Sequence, residues 1–285
     1  MMKFDYIKPA SLNQLVQELS QAKSSGSILA GGTDLLVKLR EGIISYQVLF
    51  DVNDIADLCG IEDHPDFIRI RPCTRMRDVS ESDVIRRFAP FLSSAAMQLG
   101  SPQIRNRATI GGNIVSASPA ADTVPPLMAS GAKVQLLSTG GSRACSLEDF
   151  LQGPGKTDMH EGEVLTAIDI PKFDPEVHRS SFFKVGRRGA MTISVINLAG
   201  WVEKKKDGII HDVKIVLGAV APTAIRAMAT EEFLRGKPCT EETFHEAAKL
   251  ANSECRPIDD IRGSESGRRL LVEAWTYKLL QTICA

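Results

Sequence analysis

The chain has 285 residues, with 34 Lys and Arg against 35 Asp and Glu and a formal net charge of −1 at pH 7. That balance excludes the electrostatic footprint of a nucleic-acid or anionic-membrane binder, and the length allows a full hydrophobic core shared by two or three domains. Met1-Met2-Lys3-Phe4-Asp5-Tyr6 lacks the apolar stretch of a secretory signal. No segment reaches the ~18 apolar residues of a membrane span, so the chain reads as cytoplasmic. Cysteines at 59, 73, 145, 239, 255 and 284 have no metal-ligand spacing and read as isolated thiols in a reducing compartment. No residue is assigned to a metal, and the histidines at 64, 160, 178, 211 and 245 likewise show no partner spacing, so none is assigned to catalysis.

In chain order, Ser11-Leu12-Asn13-Gln14 is a capping-box pattern ahead of a helical stripe of Leu12, Leu15, Val16 and Leu19, which Ser24-Ser25-Gly26 breaks. Ile28-Leu29-Ala30 reads as a short buried strand leading to Gly31-Gly32. Thr33 or Asp34 then stands where it would cap a helix through Leu35, Leu36 and Leu39. Val48 to Val52 and Phe67 to Arg71 read as strands, and Phe91, Leu92, Ala95, Ala96 and Leu99 mark a helix face that ends at Gly100-Ser101-Pro102. A second glycine pair follows in Thr109-Ile110-Gly111-Gly112-Asn113. Asp122 leads a short helix over Leu127-Met128, Lys133 to Leu137 is a strand, and Ser138-Thr139-Gly140-Gly141 turns the chain back.

Beyond Pro171 the pattern changes. Strands are expected at Val164–Ile170, Phe182–Val185, Ser194–Val202 and Val213–Val220, with Lys206-Asp207-Gly208 as the hairpin turn between the last two. Helical patterns follow at Ala227–Leu234, Glu242–Ala251 and Arg268–Leu280. Strands followed by helices indicate an α+β domain, with its boundary at Lys172-Phe173-Asp174-Pro175.

Each glycine pair places backbone free of side chains beside small polar residues. That is either a tight turn without a ligand or a way to bring main-chain N–H groups against phosphate. Two such turns far apart in sequence point to one ligand gripped from two sides, a pyrophosphate joining two ring systems. Two nucleotide motifs fail: Gly155-Lys156-Thr157 ends like a P-loop, but Phe150 stands where G-x-x-x-x-G-K-S/T needs its first glycine. Asp158 likewise breaks G-x-G-x-x-G from Gly153.

Leu29-Ala30-Gly31-Gly32-Thr33-Asp34-Leu35 and Ala108-Thr109-Ile110-Gly111-Gly112-Asn113, with Asp122, resemble the two FAD motifs of the flavin subunit of the molybdenum hydroxylases, the group containing xanthine and carbon monoxide dehydrogenases. Ser101-Pro102-Gln103-Ile104-Arg105-Asn106, Gly153-Pro154-Gly155-Lys156 and Ala221-Pro222-Thr223-Ala224-Ile225-Arg226 resemble the bacterial xanthine dehydrogenase type in particular. The resemblance covers essentially the whole chain. It implies an α+β fold: a two-part FAD-binding domain of the vanillyl-alcohol-oxidase (PCMH-like) class over 1–173, with subdomains of about 1–55 and 56–173. A C-terminal α+β domain of the CO-dehydrogenase flavoprotein type would follow over 174–285.

The same resemblance implies non-covalent FAD on Ala30 to Leu35 and Gly111 to Asn113, with side-chain bonds from Thr33, Thr109 and Asn113. Asp122 is then a helix cap, a polar contact to the ribityl region, or both. Leu165 is a core leucine, a residue packed on flavin or adenine, or both. Lys184 is either a solvated charge or the lysine beside the isoalloxazine, and Gly186 to Ala190 would be the mobile loop where a pyridine nucleotide approaches. No residue is assigned to catalysis. Electrons would arrive from two 2Fe–2S clusters on a small subunit, themselves fed by a molybdopterin large subunit in a higher-order heteromer, and would leave to NAD+. Between Asp34 and Thr109 only Cys59 and Cys73 occur, so no additional iron–sulfur cluster is expected here. The alternatives are a self-contained FAD-dependent oxidoreductase of the same fold, a flavin subunit for nicotinate, CO or another substrate, and a nucleotide-binding regulatory module without turnover.

Overall fold

The computed structural model describes residues 4–204 and 208–285. It begins with β1 (Asp5–Ile7), α1 (Leu12–Ala22), β2 (Gly26–Leu29), α2 (Leu35–Arg40) and β3 (Val48–Asp51). Ser11 caps α1 by accepting from the Gln14 N–H. Gln14 Oε1 reaches back to the Ala10 N–H rather than to Ser11, so the capping box closes one residue early. β1 and β2 both run parallel to β3, giving the order β1-β3-β2. The stripe of Leu15, Val16 and Leu19 is buried in a core shared with Phe50, Val52, Leu58 and Val164.

The chain continues through β4 (Ile61–Asp63), β5 (Phe67–Ile70), α3 (Met76–Glu81), α4 (Asp83–Phe88), α5 (Pro90–Gln98), α6 (Pro102–Arg105), α7 (Ile110–Val115) and α8 (Val124–Ala129). It then forms β6 (Lys133–Ser138), β7 (Gly141–Ser146), α9 (Leu147–Phe150), β8 (Leu151–Gly153), β9 (Lys156–Thr157) and β10 (Val164–Pro171). Five of these strands make an antiparallel sheet of order β4-β5-β10-β6-β7. β10, the last of them in sequence, takes the central place. Asp169 on it accepts a bidentate pair from Arg69 of β5 at 2.7 and 2.8 Å and a further bond from Gln135 of β6 at 2.8 Å, which fixes the register across three strands.

The remaining elements are β11 (His178–Val185), β12 (Ile196–Lys204), β13 (Ile210–Gly218), β14 (Ile225–Arg226), α10 (Met228–Leu234), α11 (Glu241–Glu254) and α12 (Glu265–Ile283). The four strands form an antiparallel sheet in chain order. Lys206 and Asp207 of the expected hairpin turn lie outside the described residues. This sheet is covered on both faces. Ile196, Leu198 and Val202 pack with Val272, Leu279 and Leu280 of α12, whereas Ala199 and Trp201 join the core that holds Leu127 and Met128 of α8. Trp201 Nε1 donates to the Ala129 carbonyl at 2.6 Å. Burial on both faces explains the apolar run without clean alternation in β12 and β13. Among the described residues no helix is long and apolar enough to cross a membrane.

Candidate functional site

Segments from the three larger sheets line one cleft of about 990 Å3, at the upper end of ordinary ligand pockets. β2 delivers the first glycine pair to its wall, and Gly32 adopts a left-handed φ of 72° that turns the chain into α2. Through the following stretch, no hydrogen bond within the described residues engages the backbone N–H of Ala30, Gly31, Gly32, Thr33, Asp34 or Leu35. The first turn of a helix leaves donors open unless a side chain caps them, and here none does. The expected cap from Thr33 or Asp34 is therefore corrected: Asp34 holds the cap position without a side-chain bond to the backbone. Its carboxylate instead pairs with Lys38 at 2.7 Å and accepts from Ser116 Oγ at 3.1 Å.

The second turn is built differently. Thr109 caps α7, its Oγ1 accepting from the Gly112 N–H at 3.2 Å. Ile110 N–H donates to the Thr74 carbonyl at 3.1 Å, Gly111 N–H to Pro72 at 2.9 Å, and Asn113 N–H to Thr109 at 3.0 Å. The expectation that Gly111 to Asn113 offer main-chain donors to a phosphate is corrected, because this backbone is already bonded within the protein. At this turn the Asn113 side chain carries the open donor: Oδ1 accepts from Thr123 at 2.7 Å, and nothing among the described residues engages Nδ2.

The glycines earn their place by close packing. A Cβ on Gly31 would stand 2.3 Å from the Arg107 carbonyl oxygen and 2.9 Å from Ala108 Cα, so the first turn touches the segment that leads into the second. A Cβ on Gly111 would stand 2.4 Å from Pro72 Cβ. Asn53 and Arg75, which carry no motif in the sequence, brace the same junction. Asn53 Nδ2 donates to the Ala30 carbonyl at 3.0 Å, and Arg75 donates to Asn53 Oδ1 at 2.5 Å and to the Arg107 carbonyl at 2.6 Å. Asp51 orients Asn53 by accepting from its N–H at 2.9 Å and its Nδ2 at 2.5 Å, and also accepts from the Tyr6 hydroxyl. Burial works to raise the Asp51 carboxyl, but the bonds from Tyr6 and Asn53 outweigh it and hold the carboxyl below its ordinary value.

Asp122 does not cap α8, whose cap position is Thr123 without a side-chain bond. Its carboxylate turns to the third sheet: Oδ2 accepts from Lys184 Nζ at 2.6 Å, and Oδ1 from Ser194 Oγ at 2.6 Å and Asn197 Nδ2 at 3.0 Å. Both members of the ion pair are 7% exposed at the side chain, so Lys184 is no solvated surface charge. The two residues read separately in sequence form one compensated pair, and Lys184 presents no isolated positive charge to the cleft.

Leu165 is 5% exposed, lies at a bulge in β10, and both joins the core and lines the cleft. Ala30 through Leu35, Ala108, Thr109, Gly111, Gly112, Asn113, Asp122 and Lys184 also line it, and Leu29 does not. Leu29 ends β2, its carbonyl accepting from the Val52 N–H at 3.2 Å. The expected loop at Gly186 to Ala190 is displaced: Met191 to Ser194 reach the cleft, after a left-handed Met191 with φ 50°. A loop from the C-terminal helical region faces it, tied by Arg187 Nη1 to the Ile261 carbonyl at 3.0 Å. There burial works to raise the Asp260 carboxyl, but the Arg262 N–H and the Arg268 guanidinium outweigh it and bring it down to about 2.

Open main-chain donors at the first turn, an amide donor at the second and a cleft of this volume fit a dinucleotide with two phosphates, as FAD has. Comparison with known proteins gives the same ligand. Residues 2–173 match the FAD binding domain in molybdopterin dehydrogenase, and residues 181–283 match the CO dehydrogenase flavoprotein C-terminal domain. The glyceraldehyde dehydrogenase medium chain of Sulfolobus acidocaldarius is 31% identical over 99% of this chain and 98% of its own length. The xanthine dehydrogenase FAD-binding subunit of Escherichia coli O157:H7 is 30% identical over 98% and 96%. The solved carbon monoxide dehydrogenase from Hydrogenophaga pseudoflava superposes with a TM-score of 0.95 at 30% identity, covering 99% of this chain and 97% of that one. This chain belongs to the family of FAD-binding medium subunits of the molybdenum hydroxylases.

Proposed function

We propose that this chain is the electron-exit subunit of a xanthine-dehydrogenase-like molybdenum hydroxylase, partnered by a molybdopterin large subunit and a small subunit with 2Fe–2S clusters, and delivering electrons to NAD+. The observation that carries the reading is the run of six N–H groups from Ala30 to Leu35 in the cleft wall that engage no acceptor among the described residues. These groups would hold the FAD pyrophosphate, with the Asn113 amide at the second turn and Leu165 packed on a ring. Bound FAD couples one-electron carriers to a two-electron acceptor. Lys184 and Asp122 would fix polar contacts beside it as a neutral pair. At the cleft mouth the Arg256 guanidinium engages no partner among the described residues, and it offers charge to the phosphates of an incoming dinucleotide.

One observation favours a subunit over a self-contained oxidoreductase. The acids that line the cleft are all tied: Asp34 to Lys38, Asp122 to Lys184, and Asp260 to Arg262 and Arg268. No histidine or glutamate is among the lining residues. The purine assignment rests on the xanthine-dehydrogenase-like segments, since the relatives named above act on glyceraldehyde, xanthine and CO. We further place the domain division between 173 and 174, which separates the third sheet from the first two, and the complex in the cytoplasm. Purification of the chain alone and with its partner subunits tests the reading. About one flavin per chain, NADH-dependent dye reduction by the chain alone, and purine oxidation only by the complex are expected. Substrate turnover by the chain alone would overturn the subunit role, and a reduced complex that leaves NAD+ untouched would overturn the acceptor.

A further inference from the structure

Two cysteines that stand apart in the sequence come together beside the cleft, which Cys73 lines. The β4–β5 ladder continues past its strands: Arg71 N–H donates to the Gly60 carbonyl at 2.9 Å and Cys73 N–H to the Leu58 carbonyl at 2.8 Å. Thr74 Oγ1 clamps the same stretch, donating to the Gly60 carbonyl at 2.8 Å and accepting from its N–H at 3.1 Å. Cys73 thus stands across from Leu58, one position from Cys59. A regular ladder would send these diagonal side chains to opposite faces, but Cys59 directly follows the 3-10 turn Ala56–Leu58, and its side chain interacts with the Cys73 thiol. The thiols turn the same way, Cys59 Sγ donating to the Asn53 carbonyl and Cys73 Sγ to the adjacent Val52 carbonyl, each at 3.9 Å.

The two thiols differ in access. Cys59 is exposed, whereas Cys73 is 4% exposed and lines the cleft. Burial pushes the Cys73 thiol up to about 12, and the neighbouring Cys59 adds to the rise. An oxidant from solvent therefore meets Cys59 first, and Cys73 is the neighbouring thiol that its product meets.

We propose that Cys59 and Cys73 form a reversible dithiol–disulfide site whose oxidant is a hydroperoxide. In the first step the Cys59 sulfur attacks the peroxide, an S–O bond forms, the O–O bond breaks, and one water (or alcohol) leaves. In the second step the Cys73 sulfur displaces hydroxide from the Cys59 sulfenic acid, the S–S bond forms, and the two thiol protons end in the waters released. The dithiol loses two electrons and the peroxide gains them. The link would tie residues 58–60 to the strap whose Pro72 carbonyl holds Gly111.

The test is to treat the flavin-loaded chain, in its complex, with stoichiometric hydrogen peroxide and to map its cysteines by mass spectrometry under non-reducing conditions. A Cys59–Cys73 cross-linked peptide, loss of two titratable thiols per chain and their return with a dithiol reductant are expected. Cys59→Ser, at an exposed position, should abolish the cross-link, and Cys145→Ser should leave it. An unchanged thiol count, Cys59 carried to the sulfinic acid with Cys73 still a thiol, or cross-links distributed among the other cysteines would each overturn the proposal.

Discussion

From Ala30 to Leu35 the backbone N–H groups find no acceptor among the described residues, whereas from Ile110 to Asn113 each one does, on Thr74, Pro72 or Thr109. The two segments carry the same Gly-Gly pair beside a threonine, yet one leaves its donors open to the cleft and the other spends them on its own support. A glycine motif marks where backbone must come close to something. It does not say whether that something is a phosphate or another strand of the same protein.

Replacing Gly31 breaks the contact between the turns and should have the largest effect. Gly31→Val puts a branched side chain against the Arg107 carbonyl, and the overpacking should cost ~3 kcal/mol with flavin lost on gel filtration. Full flavin occupancy at an unchanged Tm would show that the turns tolerate separation. Removing the brace comes next. Arg75→Ala leaves Asn53 Oδ1 and the Arg107 carbonyl without their donor, so the dissociation constant for FAD should rise about tenfold, equivalent to roughly 1.4 kcal/mol. Equilibrium titration of the apoprotein measures it, and an unchanged constant would assign the brace to folding alone.

Gly112 separates support from ligand contact, because a Cβ there meets only the movable Thr109 Oγ1, at 2.9 Å. Thr109→Ala should cost about 1 kcal/mol as a lost helix cap. Gly112→Ala should leave Tm within a few degrees of the parent, so any fall in its FAD affinity, read by the same titration, reports a ligand lying against the second turn. The smallest effect concerns the acid limb of stability. Asp260 is held at about 2 against an ordinary 3.8, so its stabilisation is complete above about pH 3.8 and is lost as pH falls through about 2. Asp260→Asn should flatten that part of an acid unfolding curve, and an unaltered curve would sever Asp260 from Arg268.

Much of the fold was legible because its signals are local. Ser11 and the Leu15, Val16 and Leu19 stripe specify α1 within a few residues, and the strand-turn-helix around Gly31-Gly32 follows from an apolar run, glycine and the next stripe. Helices α3 and α4 were not, since each buries only one or two apolar side chains and neither follows a glycine turn. The candidate site residues were legible through their motifs, but their partners were not. Nothing near Asp122 in sequence indicates that it pairs with Lys184, and nothing near Asn53 that it reaches Ala30 and Arg75.

By itself, then, the sequence determined the element types, the glycine turns and the family resemblance, all of which depend on residues close together in the chain or on the joint pattern of motifs. Only the tertiary structure decided which turn leaves its N–H groups unbonded among the described residues, that Lys184 is paired with Asp122, and that the Cys59 and Cys73 side chains interact. Hydrogen-bond acceptors and counter-charges arrive from distant segments, and a backbone donor is free or spent according to what the fold packs against it.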